Sequence, residues 1–417
     1  MSSVPGTSEK DLDQWLAYIE AMHARDIEMG LDRIMPVAIR LGVNRLPMPV
    51  MTIAGTNGKG STVCLVAALA RQQGARVATY TSPHLHRFNE RIQLPDGPAT
   101  DTQLCDAFAA VDCAREQVPL TYFEFTTLAA LWLFAASDAT LVVLEVGLGG
   151  RLDAVNLVDP DVAVVTSIGL DHQDWLGDTR EAIAEEKCGI GRPGIPLVYG
   201  ETDWPDNLLQ LADVWAFQAI LAGRQFGMQG RHLSLASGRQ LLLPADVPLG
   251  RDNLATACQA LALVGIDVRQ QDMAAAEVLT LPGRAERMCH RGADCWLDVG
   301  HNREAVARFV SSLPPCEGTR HVVFGMMKDK PLAQTMDLFA AMDVQWYLAA
   351  PRQERASPAV WLQAFCPEGQ PSRCYDSVAL ATRHAVDAAA DGDQVLILGS
   401  FFTVSEARAW LLDDVGR

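Results

Sequence analysis

Closely spaced glycines and one lysine stand between an apolar run and a helical pattern, in the segment 55–62, GTNGKGST. Backbone without Cβ atoms can approach phosphate oxygens closely, and amides at a helix N-terminus attract anions. Lys59 adds a positive charge there, and Ser61 or Thr62 adds a hydroxyl. The usual nucleotide loop has more residues before its Gly-Lys pair and a hydroxyl residue directly after the lysine, so this is a shortened variant. The pattern favours a phosphate-binding loop over a plain glycine-rich connection.

Polar residues also stand at the ends of other predicted buried strands: Ser82, Glu145 and His172. Hydroxyl, carboxylate and imidazole groups in such places suit Mg²⁺ that is held jointly by protein and nucleotide. Each residue alone has an ordinary interpretation, as a turn former, a capping carboxylate or a surface histidine. Together with the phosphate loop, they predict a metal site.

Lys187 occupies an unexpected position in a predicted helix. Its neighbours three and four positions back are Ala184 and Ile183, so it projects from the apolar face of that helix. Burial lowers the pKa of an amine, and a neutral amine can react with carbon dioxide to form a carbamate, whose oxygens can bind a metal. The alternative is a lysine whose stem covers apolar surface while its amine reaches water, and spacing alone favours that alternative.

Two further loops are rich in polar groups. Asp153 follows a run of glycines and could hold a heterocycle, or it could belong to a tight, solvated turn. Asp298 and His301 follow a later predicted strand, and they could hold a ribose or form a structural pair. Spacing does not separate these alternatives. Asn302 is predicted to cap the helix that comes next.

These candidate residues lie in or after short apolar runs that alternate with helical patterns. The runs that precede or contain the candidate residues are 50–53, 76–80, 141–147 and 162–166. This alternation is typical of a parallel sheet in which ligands gather beyond the carboxyl ends of the strands. We therefore predict an α/β protein with a doubly wound parallel sheet of the P-loop ATPase type. The helix that carries Lys187 is predicted to begin at an N-cap Asp178, with Glu181 in capping-box register.

A second domain is expected from length alone, because 417 residues exceed what one hydrophobic core usually serves. The best boundary signal is Leu281-Pro282-Gly283-Arg284, where proline and glycine interrupt the pattern. Runs typical of strands follow at 295–299, 321–325, 345–349 and 394–398. We therefore predict an N-terminal domain that carries the phosphate loop, 1–283, and a smaller Rossmann-like α/β domain, 284–417.

Composition excludes several classes of partner. The net charge of −17 argues against a surface that grips nucleic acid or anionic lipid. The ten cysteines include no C-x-x-C pair, which favours reduced thiols over disulfides or a zinc site. The N-terminus shows no basic-then-apolar signal pattern, and no uncharged apolar run approaches the roughly 18 residues of a membrane span. We expect a cytoplasmic protein without membrane or nucleic-acid partners.

A series of motifs extends along nearly the whole chain, in the order AGTNGKGST, TSPHL, EVGLGGRLDAVN, GLDHQDWLG, EEKCGI, LPGR, DVGHN, FGMMKDK and GSFFTVSEA. Together they resemble the folylpolyglutamate synthase and dihydrofolate synthase family, relatives of the Mur ligases. The sequence departs from the family's usual second-domain motif, with Gly300 in place of alanine and Arg303 in place of proline. Loss of the proline changes how a helix begins rather than the chemistry.

The resemblance implies roles for individual residues. ATP phosphates are expected at Gly55, Thr56, Asn57, Gly58, Lys59, Gly60, Ser61 and Thr62, and further nucleotide contacts at Asn253, Arg284, Asp298 and His301. Two magnesium ions are expected at Ser82, Glu145, His172 and a carbamylated Lys187. The pterin of dihydropteroate is expected at Thr121, Phe123 and Asp153. The expected catalytic residues are Lys59, His172 and Lys187.

The implied activity is ATP-dependent ligation of L-glutamate to 7,8-dihydropteroate and to reduced folates, by a monomer whose second domain is the glutamate-ligase domain. The substrate's carboxylate would attack the γ-phosphate to give an acyl phosphate and ADP, and the amine of glutamate would then displace phosphate. A carboxylate needs this activation because it is otherwise a poor acyl donor. Magnesium and Lys59 would offset the charge of the meeting anions.

Other functions stay open on the sequence alone. A monofunctional folylpolyglutamate synthase would not use dihydropteroate, and a cell-wall Mur ligase would usually carry an additional domain for its nucleotide-linked substrate. A P-loop kinase or NTPase would not consume glutamate. A nucleotide-binding module without catalysis would show no turnover with either pterin substrate. The presence of the pterin-site residues favours the bifunctional enzyme.

Overall fold

The computed structural model describes residues 10–23 and 28–414. The described residues form two compact units, which divide between Leu279 and Thr280. The boundary predicted from the sequence, after Gly283, lies close to this division. Among the described residues, no helix has both the length and the apolar composition that a membrane span requires.

The first unit is built around a sheet of eight strands. These strands are β1 (Val50–Ala54), β2 (Val77–Tyr80), β3 (Ile92–Leu94), β4 (Gly97–Pro98), β5 (Leu141–Glu145), β6 (Val162–Val165), β7 (Pro196–Tyr199) and β8 (Gln218–Leu221). Their order in the sheet is β4-β3-β2-β5-β1-β6-β7-β8. The strands from β2 to β8 in this order are parallel; at the β2 edge, β3 pairs antiparallel with β2, and β4 pairs antiparallel with β3. The predicted α/β fold with a parallel sheet is confirmed.

The central strands β1, β5 and β6 are buried at every residue, which means that both faces of the sheet are covered. This explains their nearly continuous apolar sequences. The helices of this unit are α1 (Leu12–Ala21), α2 (Ile34–Leu41), α3 (Lys59–Gln72), α4 (Asp101–Arg115), α5 (Tyr122–Ala136), α6 (Gln173–Leu176), α7 (Arg180–Cys188), α8 (Leu208–Trp215), α9 (Arg251–Leu263) and α10 (Met273–Glu277). A small antiparallel sheet is formed by β9 (Gly227–Gln229), β10 (His232–Ser234) and β11 (Gln240–Leu242).

The start of α7 differs from the sequence prediction. Its N-cap is Thr179, whose hydroxyl accepts a hydrogen bond from the backbone N–H of Ala182 at 3.2 Å. The prediction of Asp178 as the cap was therefore wrong by one residue. The extended backbone of Thr179, with φ −126° and ψ 155°, aims its short side chain at the first turn of the helix, as capping requires.

The second unit contains a sheet of six strands in the order β12-β13-β17-β14-β15-β16. Its strands are β12 (Glu286–His290), β13 (Ala293–Asp298), β14 (Arg320–Phe324), β15 (Val344–Ala349), β16 (Ser372–Tyr375) and β17 (Gln394–Leu398). Only β12 is antiparallel to its neighbour. The helices are α11 (Arg303–Ser312), α12 (Leu332–Met336), α13 (Ala359–Gln363), α14 (Val378–Ala388) and α15 (Phe401–Asp414).

The two edge strands of this sheet, β12 and β16, were not predicted from the sequence. Their sequences are ERMCH and SRCY, and most of their residues are partly or fully exposed. An edge strand has fewer neighbours and needs no continuous apolar run, so hydrophobicity gives little signal for it. The four predicted strands of this unit all lie in the interior of the sheet, where that signal is strong.

Candidate active site

Four adjacent parallel strands of the first unit bring the candidate residues to one edge of its sheet. These strands are neighbours in the order β2-β5-β1-β6. Ser82 follows β2, Glu145 ends β5, the glycine-rich loop follows β1, and Thr166 and Ser167 follow β6. Because parallel strands all end at the same edge, residues distant in sequence meet there.

The loop between β1 and α3 bends at glycines with positive φ angles. Gly55 has φ 150° and Gly58 has φ 87°, and α3 begins at Lys59. A Cβ atom at Gly58 would lie 2.5 Å from Asn253 Oδ1, and the Thr62 hydroxyl donates to the same oxygen at 3.4 Å. The structure therefore places Asn253 against the loop that was predicted to bind phosphate.

Two hydroxyl residues that the sequence analysis did not single out hold this loop. The Thr166 hydroxyl donates to the carbonyl oxygen of Asn57 at 2.6 Å, and the Ser167 hydroxyl donates to the same oxygen at 3.0 Å. Ser167 also accepts from the N–H of Asn57 at 2.9 Å, and its carbonyl accepts from the N–H of Thr56 at 2.9 Å. The available signal was the Thr-Ser pair directly after a buried apolar run.

We expect Gly55→Ala to lower the free energy of unfolding by more than about 3 kcal/mol and to abolish ATP binding. The reason is that a Cβ atom at this position would overlap the Thr166 hydroxyl, at a φ angle that disfavours side chains. Chemical denaturation and calorimetric titration with ATP would measure both effects. Gly74→Ala is the control, because Gly74 has φ 80° and no atom within 4 Å of the added Cβ. It should cost about 1–2 kcal/mol and leave ATP binding intact; tight ATP binding by the Gly55 variant would contradict the prediction.

Two lysines converge on one carbonyl oxygen of the loop. Lys59 Nζ donates to the Gly55 oxygen at 3.0 Å and to the Thr56 oxygen at 3.4 Å. Lys187 Nζ donates to the same Gly55 oxygen at 3.1 Å, and only 4% of Lys187 is exposed. Burial, and next the positive charge of Lys59, lower the pKa of Lys187 to about 7. The Lys187 amine is therefore neutral in a large fraction of molecules near neutral pH, when it is nucleophilic.

Ser82 and Glu145 meet beside this loop. The backbone N–H of Ser82 donates to Glu145 Oε2 at 3.1 Å, and the Glu145 side chain is buried. A Cβ atom at Gly60 would lie 3.6 Å from both carboxylate oxygens, so the first turn of α3 passes close to this carboxylate. A buried carboxylate beside a serine and a phosphate loop is a donor set that fits a hard cation such as Mg²⁺.

His172 lies on the loop that follows β6. It is exposed, has φ 52° and forms the N-cap position of the short helix α6. Its backbone N–H donates to Asp171 Oδ1 at 2.8 Å. The side chain is thus accessible on the same stretch of chain that supplies Thr166 and Ser167.

Asp153 and Phe123 lie around the second glycine-rich loop. Asp153 is buried, and its two carboxylate oxygens accept from the backbone N–H groups of Leu148 at 2.9 Å and Val155 at 3.0 Å. Burial raises the pKa of Asp153 to about 6, although these amides and the charge of Lys59 act in the opposite direction. The Phe123 ring lies so close to Gly147 that a Cβ atom there would be 2.7 Å from it. A buried carboxylate and an aromatic ring therefore both lie at this loop.

Thr121 is buried at the N-terminus of α5, where it has a capping role. Its hydroxyl accepts from the N–H of Glu124 at 3.3 Å, and Glu124 Oε2 accepts from the N–H of Thr121 at 2.8 Å. Arg33 forms an ion pair with Glu124 at 2.9 Å. These contacts fix the first turn of α5, which carries Phe123.

In the second unit, Asp298 lies at the end of β13 and accepts from two backbone amides. Its partners are the N–H groups of Ala285 at 2.9 Å and Gly300 at 2.8 Å. Burial raises the pKa of Asp298, and the nearby guanidinium of Arg284 opposes that shift. A Cβ atom at Gly300 would lie 2.8 Å from Asp298 Oδ1, so alanine at this position would require the loop to shift.

The neighbouring residues of this unit are also held in place. The Arg284 guanidinium lies over the Phe401 ring, 5.0 Å from its centroid. His301 Nδ1 is 3.1 Å from the carbonyl oxygen of Val299. Asn302 caps α11 by accepting from the N–H of Ala305 at 2.9 Å, which confirms the cap predicted from the sequence. Arg303, which stands where proline is usual, is the first residue of that helix.

Two protein-family models match the sequence. The Mur ligase middle domain matches residues 53–196, and the glutamate ligase domain of Mur ligases matches residues 283–401. The first match covers the phosphate loop and the residues around Ser82, Glu145 and Lys187. The second begins at the proline-glycine interruption.

Individual relatives match nearly the whole chain. The dihydrofolate synthase/folylpolyglutamate synthase of Escherichia coli is 38% identical over 405 residues, which are 94% of each chain. The structure of Escherichia coli FolC in complex with DHPP and ADP has a TM-score of 0.91 and 36% identity, covering 98% of this chain and 99% of that one. The bifunctional enzyme from Yersinia pestis, complexed with AMPPNP and an Mn ion, has a TM-score of 0.89 and 36% identity, covering 97% and 98% of the two chains.

Proposed function

Because this chain belongs to the dihydrofolate synthase/folylpolyglutamate synthase family of Mur ligases, we propose that it joins L-glutamate to 7,8-dihydropteroate and to reduced folates. It is an ATP-dependent ligase that uses a divalent metal ion. The observation that carries the proposal is the convergence of Lys59 and Lys187 on the Gly55 carbonyl, beside Ser82 and Glu145. This arrangement combines phosphate binding with a buried reactive amine.

We assign ATP phosphate binding to the loop 55–62. The loop leads into the N-terminus of α3, and the backbone N–H groups and dipole at a helix N-terminus attract anions. Lys59 supplies a positive charge from the same turn. The hydroxyls of Thr166 and Ser167 donate to the carbonyl oxygen of Asn57 and so keep the loop ordered, which reduces the entropic cost of ordering it when ATP binds.

We assign the metal to Ser82, Glu145 and His172, with Lys187 as a carbamate. The buried Glu145 carboxylate supports this assignment, as does the low pKa of Lys187, which leaves its amine free to take up carbon dioxide. When magnesium is bound there, it offsets the negative charge of the phosphates. Two ions are expected from the family resemblance.

The chemistry follows from placing a carboxylate beside the γ-phosphate. The substrate's carboxylate oxygen attacks the γ-phosphorus, the bond from that phosphorus to the β–γ bridging oxygen breaks, and an acyl phosphate and ADP form. The amine of L-glutamate then attacks the acyl carbon, phosphate leaves and the amine loses a proton. Lys59 offsets the charge of the two anions as they meet, and a closed site keeps water from the acyl phosphate.

We assign the pterin to Phe123, Thr121 and Asp153. The Phe123 ring offers an aromatic face, and Asp153 offers carboxylate oxygens that can accept N–H groups of a heterocycle. Thr121 holds the first turn of α5 in place. Asp153 lies on the glycine-rich loop that directly follows Glu145, and the Glu145 carboxylate lies close to Gly60, which supports a substrate that extends from Asp153 toward the loop 55–62.

The pKa of Asp153 makes dihydropteroate binding depend on pH. Its pKa in the folded protein is about 6, so the carboxylate becomes protonated as the pH falls through that value and loses part of its capacity to accept hydrogen bonds. The KM for dihydropteroate should rise about tenfold between about pH 7 and about pH 5, because roughly a tenth of Asp153 stays ionised at the lower pH. In Asp153→Asn, the KM should be high and nearly independent of pH; a wild-type KM that is constant over this range would contradict the assignment.

The raised pKa of Asp153 also makes the free energy of unfolding depend on pH. The pKa of Asp153 is higher in the folded protein than its ordinary value of 3.8. Ionising it therefore disfavours folding, and this group's stabilising contribution is complete below about pH 4 and is lost as the pH rises through about 6.

We assign further nucleotide contacts to Asn253 in the first unit, and to Arg284, Asp298 and His301 in the second. The contact of Asn253 with Thr62 supports the first assignment. We also propose that residues 1–283 form the ATP-binding domain and residues 284–417 the glutamate-ligase domain. The monomeric state and the cytoplasmic location stay predictions.

One experiment separates the candidate functions. The purified protein is supplied with ATP, magnesium and L-glutamate, together with dihydropteroate or, separately, with a reduced folate, while ADP and product mass are followed. Glutamate-dependent ADP release and a product heavier by one glutamyl residue are expected with both acids. Product from only one acid would refute the bifunctional claim. ADP release without glutamate would instead favour a kinase or NTPase.

A further inference from the structure

The loop that follows Ser82 carries an arginine, Arg91, that has no carboxylate partner among the residues that the structure describes. Arg91 Nε donates to His84 Nδ1 at 2.8 Å. Among residues 10–23 and 28–414, the structure gives no hydrogen-bond acceptor or carboxylate to the two terminal nitrogens of this guanidinium. Its other neighbours are the rings of Phe88 and Tyr122, with centroids 5.6 and 5.5 Å away. A partly buried cation of this kind can bind an anion from solution.

The carboxylate nearest in sequence is engaged elsewhere. Both oxygens of Glu90 accept from backbone N–H groups of its own loop, at 2.7–2.9 Å. These donors belong to Leu85, His86 and Arg87. The Glu90 carboxylate is therefore hydrogen-bonded to the backbone of its own loop rather than to Arg91. The positive charge of Arg91 can thus pair with another group. Acidic residues outnumber basic ones in this protein, whose net charge is −17, so an arginine that forms no ion pair among the described residues is unexpected.

Arg91 is also close to the site already described. Its backbone carbonyl accepts from the N–H of Thr81, the residue before Ser82. Tyr122, whose ring its guanidinium faces, precedes Phe123 in the first turn of α5. His84 holds Nε, so the edge formed by the two terminal nitrogens is the one that can bind a carboxylate in a bidentate manner.

We propose that Arg91 binds the non-reacting carboxylate of a folate's glutamyl tail. This inference rests on the proposed function. Dihydropteroate has one carboxylate, which must react at the phosphate loop, where Lys59 already supplies a cation. A folate ends in glutamate and so brings a second carboxylate, which needs a partner of its own. Arg91 would therefore determine specificity for folates while contributing little to the use of dihydropteroate.

The test combines a protein change with a substrate change. The specificity constants kcat/KM of wild type and Arg91→Gln are measured with dihydropteroate, a reduced folate, and the same folate with its non-reacting carboxylate converted to an amide. In wild type, the amide should be used about 10- to 100-fold less well than the acid, because a charge-assisted bidentate pair is lost. Arg91→Gln should lose a similar factor with the acid, show little difference between acid and amide, and use dihydropteroate within about twofold of wild type.

Two other variants serve as controls. Arg87→Gln removes a cation from the same loop, but the Arg87 side chain is 70% exposed and pairs with Asp101 at 3.2 Å, so all three substrates should be unaffected. Arg91→Lys keeps the charge without the bidentate edge and should show a smaller loss with the same substrate pattern. If Arg91→Gln does not fold, as judged by thermal unfolding, Arg91→Lys provides the comparison.

The outcomes distinguish this inference from the function on which it rests. An equal loss with dihydropteroate and folate, or an acid-to-amide ratio that is the same in wild type and variant, would overturn the role of Arg91 alone. Absence of turnover by wild type with both acids would refute the proposed function. Equilibrium binding of the folate and its amide to wild type and Arg91→Gln would then still show whether the carboxylate and Arg91 are coupled.

Discussion

Lys187→Ala is expected to lower kcat about 10²- to 10³-fold with both dihydropteroate and a reduced folate. Its amine is buried, lies 3.1 Å from the Gly55 oxygen and has a pKa near 7, which permits carbamate formation at neutral pH. If Lys187 carries the proposed carbamate, the alanine variant lacks that negatively charged group beside the loop 55–62 and Glu145. Steady-state assays with saturating ATP, magnesium and glutamate would measure the loss.

The carbamate has a readout apart from activity. Wild type incubated with ¹³C-bicarbonate should give a carbamate carbon signal, which Lys187→Ala should not give. Glu185→Gln is the control, because Glu185 is an exposed residue of the same helix, and it should retain both the signal and the activity. Near-wild-type turnover by Lys187→Ala in bicarbonate-free buffer would remove the carbamate from the mechanism. The variant should fold at least as stably as wild type, because burying an amine is costly.

Lys59→Met should lower kcat/KM for ATP about 10³-fold, because it removes the cation of the phosphate loop while keeping an unbranched apolar stem of similar length. A second effect is expected at Lys187. After burial, the positive charge of Lys59 is the largest cause of the low pKa of Lys187. Its removal should raise that pKa, leave more of the amine protonated near neutral pH, and weaken the carbamate signal.

The matched control for this change lies on the same helix. Arg71 is in the last turn of α3 and donates to the carbonyl oxygen of Val77 at 3.1 Å, at the opposite end of the helix from the loop. Arg71→Met should alter neither the KM for ATP nor the carbamate signal. Unchanged ATP kinetics in Lys59→Met would show that the amides of the loop suffice for phosphate binding.

The features that the sequence predicted most clearly were those that depend on residues close together in the chain. Buried parallel strands need apolar residues on both faces, so β1, β5 and β6 stand out as continuous runs. The phosphate loop stands out because only glycine fits its bends and because α3 follows directly. The edge strands β12 and β16 gave no such signal, and the cap of α7 was misplaced because neighbouring residues were both capable of capping.

The contacts between the candidate site residues depend on the order of the strands in the sheet, which the local sequence does not show. Lys187 and Gly55 are 132 positions apart, and Asn253 lies 191 positions from Thr62. Nothing in the local pattern states which strands are neighbours, since every strand of a parallel sheet has a similar apolar sequence. Thr166 and Ser167 were overlooked for this reason. That Arg91 has no carboxylate partner within residues 10–23 and 28–414 also becomes visible only in the structure, where Glu90 accepts from the loop amides instead.

The sequence by itself determined the chemical groups available, the glycine-rich loop that is proposed to bind phosphate, and the ends of the strands at which polar residues stand, because each depends on residues close together in the chain. Only the tertiary structure decided that the Lys59 and Lys187 amines share one carbonyl oxygen, and that burial and then the charge of Lys59 lower the pKa of Lys187. The physical reason is that a pKa reflects burial and the charges nearby in space, and both arise when distant segments pack together.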